Sequence, residues 1–204
     1  ILVLIGEQGL YKTTWFNFLL PPELRCYFYT KTNSDRLNKD DLFSLTEFAL
    51  ICFEELDGMR PAELNQLKAM VTMPYVNERA AYGRNKERHP HIASFCGTGN
   101  NVQFLTDPTG NRRWLPFEVS QIRDPHLHAI PYELVYSQAY ALWKSGFCHW
   151  FSQEEIRKLN MHNSRFEVPN LEEDLIRTHF RKPFEGEAGI FVTAADILEQ
   201  ISSC

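Results

Sequence analysis

The sequence predicts an α/β protein whose central parallel sheet is covered by helices on both faces, a three-layer arrangement. Residues 1–5 and 48–53 are continuous apolar runs, and residues 92–96 are apolar apart from Ser94, as expected for strands that are buried on both faces. Segments with a helical spacing of apolar residues separate these runs, and such alternation is typical of parallel sheets. We therefore expect an α/β core over residues 1–150 and a smaller, mainly helical unit over residues 151–204.

Local signals predict the elements of the core. The double proline after residue 20 ends the first helix, and the aromatic run at 26–30 is typical of a strand. The helix over residues 61–73 opens with a proline, which is favoured at the first helical position. In chain order, the predicted elements are strand 1–5, helix 15–20, strand 26–30, a polar surface connection 31–41, strand 48–53, helix 61–73, strand 92–96, strand 115–119 and helix 131–143.

The residues after position 151 have a different character. Ser152 and Glu155 form a capping box, which marks the start of a helix. The predicted elements of this unit are helix 152–160, helix 171–180, strand 189–192 and a last helix from residue 193 to the chain end.

A glycine-rich loop connects the first strand to the first helix. The order of strand, glycine loop, Lys-Thr and helix is the layout of a phosphate-binding P-loop. A triphosphate needs converging backbone N–H groups, an ammonium for its terminal phosphates, here Lys12, and a hydroxyl for magnesium, here Thr13. The P-loop pattern has glycine before the lysine, where this chain has Tyr11. The candidate nucleotide-binding residues are Gly6, Gly9, Tyr11, Lys12, Thr13 and Thr14.

Two adjacent acids, Glu54 and Glu55, end the second apolar run. Because the carboxyl ends of parallel strands gather at one edge of the sheet, we expect these acids beside the phosphates. Glu54 would help Thr13 to hold magnesium, mostly through water, and Glu55 would orient and deprotonate the attacking water. Acids after a strand are often only a solvated loop, but the P-loop upstream favours the functional interpretation.

Further polar groups follow later strands and turns. Asn100 follows the third apolar run and could hold the attacking water or the γ-phosphate from the side, although Gly-Asn is also common turn chemistry. Arg112 and Arg113 follow a turn, and a loop arginine at a subunit boundary can stabilise transition-state charge in a neighbour's site. A surface or structural arginine pair is an equal alternative, so both interpretations stay open on these residues alone.

A basic segment precedes the third apolar run. Arg79, Arg84, Lys86 and Arg88 are interleaved with the aromatic Tyr82, a combination that suits contact with a nucleic-acid backbone. A solvated hairpin is the alternative, since charge-rich loops are usually just that. The net charge of −5 argues against a uniformly basic surface but leaves room for a local one.

Composition limits the remaining options. No apolar stretch approaches the roughly 20 residues that span a bilayer, and the opening run lacks the basic lead of a signal peptide, so we expect a cytoplasmic protein without a membrane partner. The five cysteines are scattered, so no structural metal is expected, and Cys52 and Cys96 are expected to be small core residues.

Lys68 is expected to be a surface charge. Because the chain begins inside a strand and without methionine, we expect it to be a piece of a longer polypeptide.

Taken together, the motifs resemble those of the virulence-associated protein E family, P-loop ATPases related to superfamily-three helicases and poxvirus-type primase-helicases. The resemblance covers roughly residues 1–119, and the turn that ends in the arginine pair is its most specific part. The motifs are Gly6-Glu-Gln-Gly9, Lys12-Thr13, Glu54-Glu55-Leu56, Leu67-Lys68, Arg79-Ala-Ala-Tyr82-Gly, Thr98-Gly-Asn100 and Asp107-Pro-Thr-Gly-Asn-Arg112-Arg113.

This resemblance implies an AAA+-like ATPase core that uses ATP and Mg²⁺ and acts on DNA, expected to be single-stranded, in phage or mobile-element replication. It also implies a ring-shaped homo-oligomer in which Asn100 is a sensor residue and Arg112 or Arg113 acts in trans. Tyr11 departs from the glycine of most relatives and must point away from the phosphates if the loop is to bind nucleotide. The helix–helix–strand–helix order after residue 151 is compatible with the start of a winged helix.

The motifs raise three possible functions. The first is an ATP-hydrolysing, helicase-like motor domain that moves on or remodels DNA, and it uses all of the motifs. The second is a nucleotide-responsive DNA-binding or scaffolding module that has lost hydrolysis, which Tyr11 and the negative net charge favour. The third, a small-molecule kinase that shares only the P-loop, is disfavoured because the adjacent acids and the arginine pair suit water activation in an assembly.

Overall fold

The computed structural model describes residues 1–32, 39–79, 84–106 and 111–202. In chain order, the strands are β1 (Leu2–Ile5), β2 (Phe28–Lys31), β3 (Leu50–Phe53), β4 (Tyr75–Glu78), β5 (Glu87–Pro90), β6 (Ser94–Gly99) and β7 (Leu115–Glu118). The α-helices are α1 (Lys12–Asn17), α2 (Lys39–Glu47), α3 (Pro61–Val71), α4 (Tyr132–Lys144), α5 (Gln153–Asn163), α6 (Leu171–His179) and α7 (Ala194–Ser202). Short 3₁₀ helices lie at Pro22–Tyr27, Leu56–Gly58, Asn111–Arg113 and Ser164–Phe166. Within the described ranges, no helix combines the length and the apolar character needed to cross a membrane.

The main sheet has five strands, all parallel, in the order β2-β3-β6-β1-β7. The predicted α/β class with a parallel sheet is therefore confirmed. Strand β1 is flanked by β6 and β7, and β6 separates it from β3. Because parallel strands end at the same edge, the loop after β1, Glu54 after β3 and Asn100 after β6 all lie at the carboxyl edge of the sheet.

Apolar side chains cover both faces of this sheet, since successive residues of a strand point to opposite sides. Ile5 of β1 belongs to an apolar cluster with residues of α2 and α3. Leu4, its neighbour on β1, belongs to a second cluster with Phe16 of α1, Cys52 and Cys96. Both cysteines are free and buried, so the prediction that they are small core residues is confirmed.

The segment predicted as a surface connection, residues 31–41, has a buried charge at each end. Lys31 ends β2 and forms an ion pair with Asp41 of α2, with 2.7 Å between Nζ and Oδ1 and both side chains 5% exposed. Two opposite charges can be removed from water together because each offsets the desolvation of the other. The prediction is therefore wrong at these two residues, and residues 33–38 lie outside the described part of the chain. Lys68 is also buried rather than a surface charge, because its aliphatic stem can pack along the core.

The chain divides into two compact units, Ile1–Glu167 and Val168–Cys204, whereas the sequence predicts a boundary near residue 151. The difference concerns α5 and the 3₁₀ helix that follows it. Asn163 and Phe166, at the end of this stretch, are buried, and Leu105 forms a parallel bridge with Glu167. These contacts make residues 151–167 part of the first unit.

The second unit contains α6 and α7. The strand predicted at residues 189–192 is absent, because no residue between 168 and 202 that the structure describes is in a strand. A strand requires a hydrogen-bonded partner, and the described part of this unit offers none. The expected start of a winged helix therefore lacks its strand.

Candidate functional site

The glycine-rich loop turns from β1 into α1 with a shape that depends on its glycines. A Cβ atom at Gly6 would lie 2.3 Å from the carbonyl oxygen of Val119, a distance that no side chain can accept. Gly9 has a φ of 87°, a left-handed conformation that glycine adopts without steric cost. The N–H of Gly6 donates to the carbonyl of Gly99 at 3.2 Å, which ties the start of the loop to β6.

Tyr11 occupies the position before the lysine in a left-handed conformation, with φ 59° and ψ 20°. This is a conformation that glycine would adopt freely and that costs another residue about 1–2 kcal/mol. The carbonyl of Tyr11 accepts a hydrogen bond from the N–H of Trp15 at 2.7 Å, so the residue still starts α1. Its side chain is 43% exposed and lines the cavity above the loop.

The ammonium of Lys12 is folded back onto its own loop. It donates to the carbonyls of Gly6 at 2.6 Å and Glu7 at 2.7 Å, and to Oδ1 of Asn100 at 3.2 Å. The residue is 8% exposed. Burial lowers the pKa of the Lys12 ammonium below its ordinary value, and the negative charge of Asp57 partly opposes this shift.

The two adjacent acids occupy different environments. Glu54 Oε1 accepts a hydrogen bond from the hydroxyl of Thr13 at 2.7 Å, so the two predicted magnesium-binding residues are in direct contact. Glu55 is exposed and has φ 54° and ψ 46°. It is one of two non-glycine residues with a positive φ in the described ranges, and Tyr11 is the other. Such strained residues are concentrated at functional sites.

Asp57 contributes to the site although sequence reasoning assigns it no role. Its two carboxylate oxygens accept the backbone N–H groups of Asn100 and Asn101, each at 3.1 Å. This holds the end of β6 beside the loop that follows β3. The signal in the sequence is weak, since it consists only of a third acid shortly after Glu54 and Glu55.

One cavity of about 460 Å³ at the carboxyl edge of the sheet unites most of the residues predicted to bind nucleotide or metal or to act in catalysis. Its lining includes Gly9, Tyr11, Lys12, Thr13, Thr14, Glu54, Glu55 and Asn100. Thr32 and Thr98 also line it and were not predicted, although polar residues at or near strand ends are the signal that identifies such positions. Gly6 lines a neighbouring cavity instead.

Arg112 and Arg113 lie at the opposite edge of the sheet. They belong to the 3₁₀ helix that precedes β7, and β7 pairs with β1 so that Leu115 is opposite Leu2. The arginines therefore lie beside the start of β1, whereas the cavity lies beyond its end. Arg112 is exposed and Arg113 is partly buried. Neither side chain makes a hydrogen bond or an ion pair with another residue that the structure describes.

The basic segment forms part of an antiparallel hairpin of β4 and β5. Its exposed cations are Arg79, Arg84, Lys86 and Arg88, and Tyr82 lies outside the described residues. The guanidinium of Arg88 lies 3.6 Å from the centre of the Tyr75 ring, a cation–π contact that orients the arginine. Strand β5 leads into β6, which has six residues and hence a length of about 20 Å. The hairpin therefore lies at the start of β6, and Asn100 lies at its end.

The fold and this site define a parallel α/β domain with a candidate phosphate-binding loop at the carboxyl edge of its sheet. The chain belongs to the virulence-associated protein E-like domain family, whose family model matches residues 1–168. The family resemblance is thus confirmed. A comparison with curated proteins found no match.

Solved structures similar to this chain include two of the NrS-1 C terminal region. The apo structure has a TM-score of 0.46 at 13% identity and covers 81% of this chain and 35% of that one. The A form apo structure has a TM-score of 0.44 at 13% identity and covers 81% of this chain and 33% of that one. This chain therefore spans about a third of the length of these matches.

Proposed function

We propose that this domain binds ATP with Mg²⁺ and hydrolyses it to drive movement on, or remodelling of, DNA. The observation that carries the proposal is the convergence of Lys12, Thr13, Glu54, Glu55 and Asn100 around one cavity, although they follow three different strands. An ammonium, a hydroxyl, two carboxylates and an amide are the groups needed to transfer a phosphoryl group to water. The arrangement supports an AAA+-like P-loop fold for the first unit.

Lys12 changes partners in this proposal. In the structure its ammonium donates to the carbonyls of Gly6 and Glu7. Phosphate oxygens form stronger, charge-assisted hydrogen bonds with an ammonium, so we expect Lys12 to move to the terminal phosphates. This move would release Asn100, whose amide would then bind the γ-phosphate or the attacking water.

Thr13 and Glu54 fit a magnesium ion that arrives with the nucleotide. Both present hard oxygen atoms, and their side chains are already in contact. Mg²⁺ in such sites typically takes one or two protein ligands and completes its shell with water and phosphate oxygens. The described ranges contain no cluster of three or more His, Cys, Asp or Glu side chains that could hold a metal by themselves. When bound, the ion would neutralise charge on the phosphates.

Glu55 is the general base of the proposed reaction. It lines the cavity, is exposed and does not share the hydrogen bond that occupies Glu54. A carboxylate in this position can orient a water molecule and accept its proton as the water attacks the γ-phosphate. The left-handed backbone at Glu55 brings the acid into the cavity at an energetic cost, which suits a catalytic role.

A second cation comes from a neighbouring copy in this proposal. No arginine is among the cavity's lining residues in the described part of the chain, and the chain's own arginine turn lies at the opposite edge of the sheet. Arg112 is exposed, and in the proposed assembly it would enter the site of another subunit and stabilise the charge of the transition state. We therefore assign the trans-acting role to Arg112, in a ring-shaped homo-oligomer.

DNA contact is assigned to the β4–β5 hairpin. Its exposed cations Arg79, Arg84, Lys86 and Arg88 suit a phosphate backbone, which binds through charge neutralisation. Strand β6 connects the hairpin to Asn100, so a movement at the nucleotide site has a direct route to the DNA contact. Membership of the virulence-associated protein E-like family supports a role in phage or mobile-element replication.

The test is the steady-state ATPase activity of the protein, measured with and without single-stranded DNA at concentrations at which it self-associates. We expect turnover that depends on Mg²⁺, rises with DNA and is lost in Glu55→Gln. Absence of turnover in both conditions, with Glu55→Gln indistinguishable from the wild type, would refute the proposal.

Two observations favour a second candidate, a nucleotide-responsive DNA-binding module that does not hydrolyse ATP. Tyr11 lines the cavity, and Lys12 is held by its own loop, so the phosphates must displace existing contacts. Tight ATP binding without turnover would support this alternative. Appearance of turnover in Tyr11→Gly would then identify the loop as the cause.

A further inference from the structure

We propose that Asn163 is a positioning residue for Arg112, because it fixes from inside the fold the turn that presents this arginine to a neighbouring copy. The inference rests on the proposed function, which gives Arg112 its trans-acting role. It also gives a function to α5, which the sequence places in a separate unit.

The contacts of Asn163 close the arginine turn from both ends. Asn163 is the last residue of α5 and is fully buried. Its side-chain Nδ2 donates to the carbonyl of Asn111 at 2.7 Å and to the carbonyl of Trp114 at 3.1 Å. These two residues are the immediate neighbours of Arg112 and Arg113 in the chain. One amide group therefore fixes the backbone on both sides of the arginine pair.

The residues after Asn163 attach the same region a second time. Glu167 Oε1 accepts a hydrogen bond from the side chain of Asn111 at 2.6 Å. The N–H groups of Phe104 and Leu105 donate to the carbonyl of Phe166 at 3.0 and 2.9 Å. The segment from Asn163 to Glu167 thus holds the chain before and after residues 107–110. A turn anchored on both sides loses little entropy when its arginine meets a ligand.

Burial separates the base of the turn from its functional end. Asn111 and Trp114 are buried, and the Trp114 ring packs edge-to-face against Phe104 at 5.9 Å. Arg112, between them, is exposed. The turn therefore has a base in the core and presents the exposed Arg112 at the surface, as pre-organised charge stabilisation requires.

The polar side chains of this cluster are only partly paired. Asn111 Oδ1, Asn163 Oδ1 and Trp114 Nε1 are buried and have no hydrogen-bond partner among the described residues. Each such unpaired atom lowers the stability of a fold, so the cluster carries an energetic cost beside the hydrogen bonds that Asn163 makes to the turn. The contacts that Asn163 does make are those that fix the turn, which favours a positioning role.

The first measurement needs no catalysis. In Asn163→Ala, we expect faster hydrogen exchange of the backbone amides at residues 111–115, with the amides of the glycine-rich loop unchanged. The matched control is Ser164→Ala, the following residue, whose exposed hydroxyl donates to the carbonyl of Met161 at 2.8 Å. Equal exchange of residues 111–115 in Asn163→Ala and in the wild type would overturn the inference.

The second measurement links the turn to the neighbour's site. Trans-acting arginines raise kcat by a factor of about 10³–10⁵. Displacement of Arg112 should therefore lower kcat at least about tenfold with KM unchanged. Mixing Asn163→Ala with Glu55→Gln subunits should restore part of the turnover. In the mixed assembly, the site of an Asn163→Ala subunit still has its general base, Glu55. A neighbouring Glu55→Gln subunit can supply this site with a correctly placed Arg112. Arg112→Ala should behave in the same way in the mixture.

The outcomes separate the two proposals. If the wild type turns over ATP and Asn163→Ala keeps full kcat, or loses it without recovery in the mixture, the positioning role is overturned and the proposed function stands. If the wild type has no turnover, the proposed function is refuted and the positioning role is refuted with it. Recovery of turnover in the mixture of Asn163→Ala and Glu55→Gln subunits supports both the positioning role and the proposed function.

Discussion

The carboxylate of Asp57 holds the backbone of Asn100, whose N–H donates to Oδ1 at 3.1 Å. The other carboxylate oxygen accepts the N–H of Asn101 at 3.1 Å. Asp57 lies in the 3₁₀ helix directly after the paired acids, so it connects the end of β3 to the end of β6. Its charge also raises the pKa of Lys12 against the effect of burial. One carboxylate therefore acts on two groups of the candidate site.

Asp57→Asn should lower kcat about 10- to 100-fold with little change in KM, since small displacements of a positioned group have effects of this size. The amide keeps one acceptor oxygen but turns an NH₂ group toward one of the two backbone N–H groups. Steady-state ATPase assays and nucleotide titrations measure both effects. Asp124→Asn is the control, because Asp124 also accepts a backbone N–H, that of His126 at 2.9 Å, outside the cavity. Equal effects of the two substitutions would contradict a specific role for Asp57.

Glu54 and Glu55 should respond differently to the same substitution. Glu55→Gln removes the proposed general base and should lower kcat about 10²–10⁴-fold without weakening ATP binding. Glu54→Gln removes charge from the magnesium position, so it should raise the Mg²⁺ concentration needed for half-maximal turnover. Magnesium titrations of the ATPase rate, with ATP binding measured in parallel, distinguish the two. Identical behaviour of the two variants would argue against the separate roles.

Tyr11 should tolerate glycine better than alanine. Its φ of 59° disfavours any residue with a Cβ by about 1–2 kcal/mol, and alanine keeps this penalty while losing the ring. Glycine removes the penalty but increases the entropy of the unfolded chain, by about 0.4–1 kcal/mol. We expect the free energy of unfolding of Tyr11→Gly to be equal to or slightly above that of the wild type, and that of Tyr11→Ala to be lower. Urea unfolding and nucleotide titration of both variants test this order, and a less stable Tyr11→Gly would contradict it.

The loop, the paired acids and Asn100 could be predicted because each directly follows a strand, and parallel strands bring such positions together. Asp57 could not be predicted in the same way, since its role depends on hydrogen bonds to residues 43 and 44 positions later in the chain. Local patterns contain no information on such pairs. The convergence of the site could therefore be predicted from the sequence, whereas the hydrogen bonds of Asp57 that hold the site together could not.

The end of the first unit shows the same limit. The capping box of Ser152 and Glu155 correctly marks the start of α5, with the Ser152 N–H donating to Glu155 Oε2 at 2.8 Å. It does not show where the helix packs, which depends on contacts of Asn163 with residues 52 and 49 positions earlier. Helix α2 was missed for a related reason, since the burial of the polar Asp41 is accompanied by its ion pair with Lys31 on β2, a contact that local patterns do not show.

Nucleotide affinity should depend on pH through Lys12. Burial lowers the pKa of its ammonium in the free protein, and a bound polyanion should raise it again. Below the free-state pKa the lysine is charged in both states, and affinity is constant. As pH rises through the free-state pKa, binding must take up a proton, so affinity falls by up to about tenfold per pH unit. This fall in nucleotide affinity should begin at a pH below the range in which a lysine ordinarily loses its proton.

Calorimetric titration in buffers of different ionisation enthalpy measures this proton uptake directly. Lys12→Met should bind nucleotide weakly and show no uptake. Uptake of the same size in Lys12→Met and in the wild type would assign the titration to another group.

The stability of the free protein should change with pH in the sense opposite to that of nucleotide affinity. Since the folded pKa of Lys12 is lowered, the penalty for burying its charge begins to fall as pH rises through the folded pKa and is gone above the ordinary, unfolded pKa, so stability rises between the two.

Reversing the charge of Arg84 and Lys86 should weaken binding to single-stranded DNA and reduce its dependence on salt. Each lost phosphate contact lowers the slope of log K against log salt by about 0.7 for single strands, so the double variant should lose about 1.4. ATPase activity without DNA should be unchanged, because the hairpin and the cavity lie at opposite ends of β6. Lys144→Glu with Arg157→Glu, two exposed positions on α4 and α5, applies the same charge change outside the hairpin. If this control reduces the slope equally, general electrostatics and not the hairpin determines DNA binding.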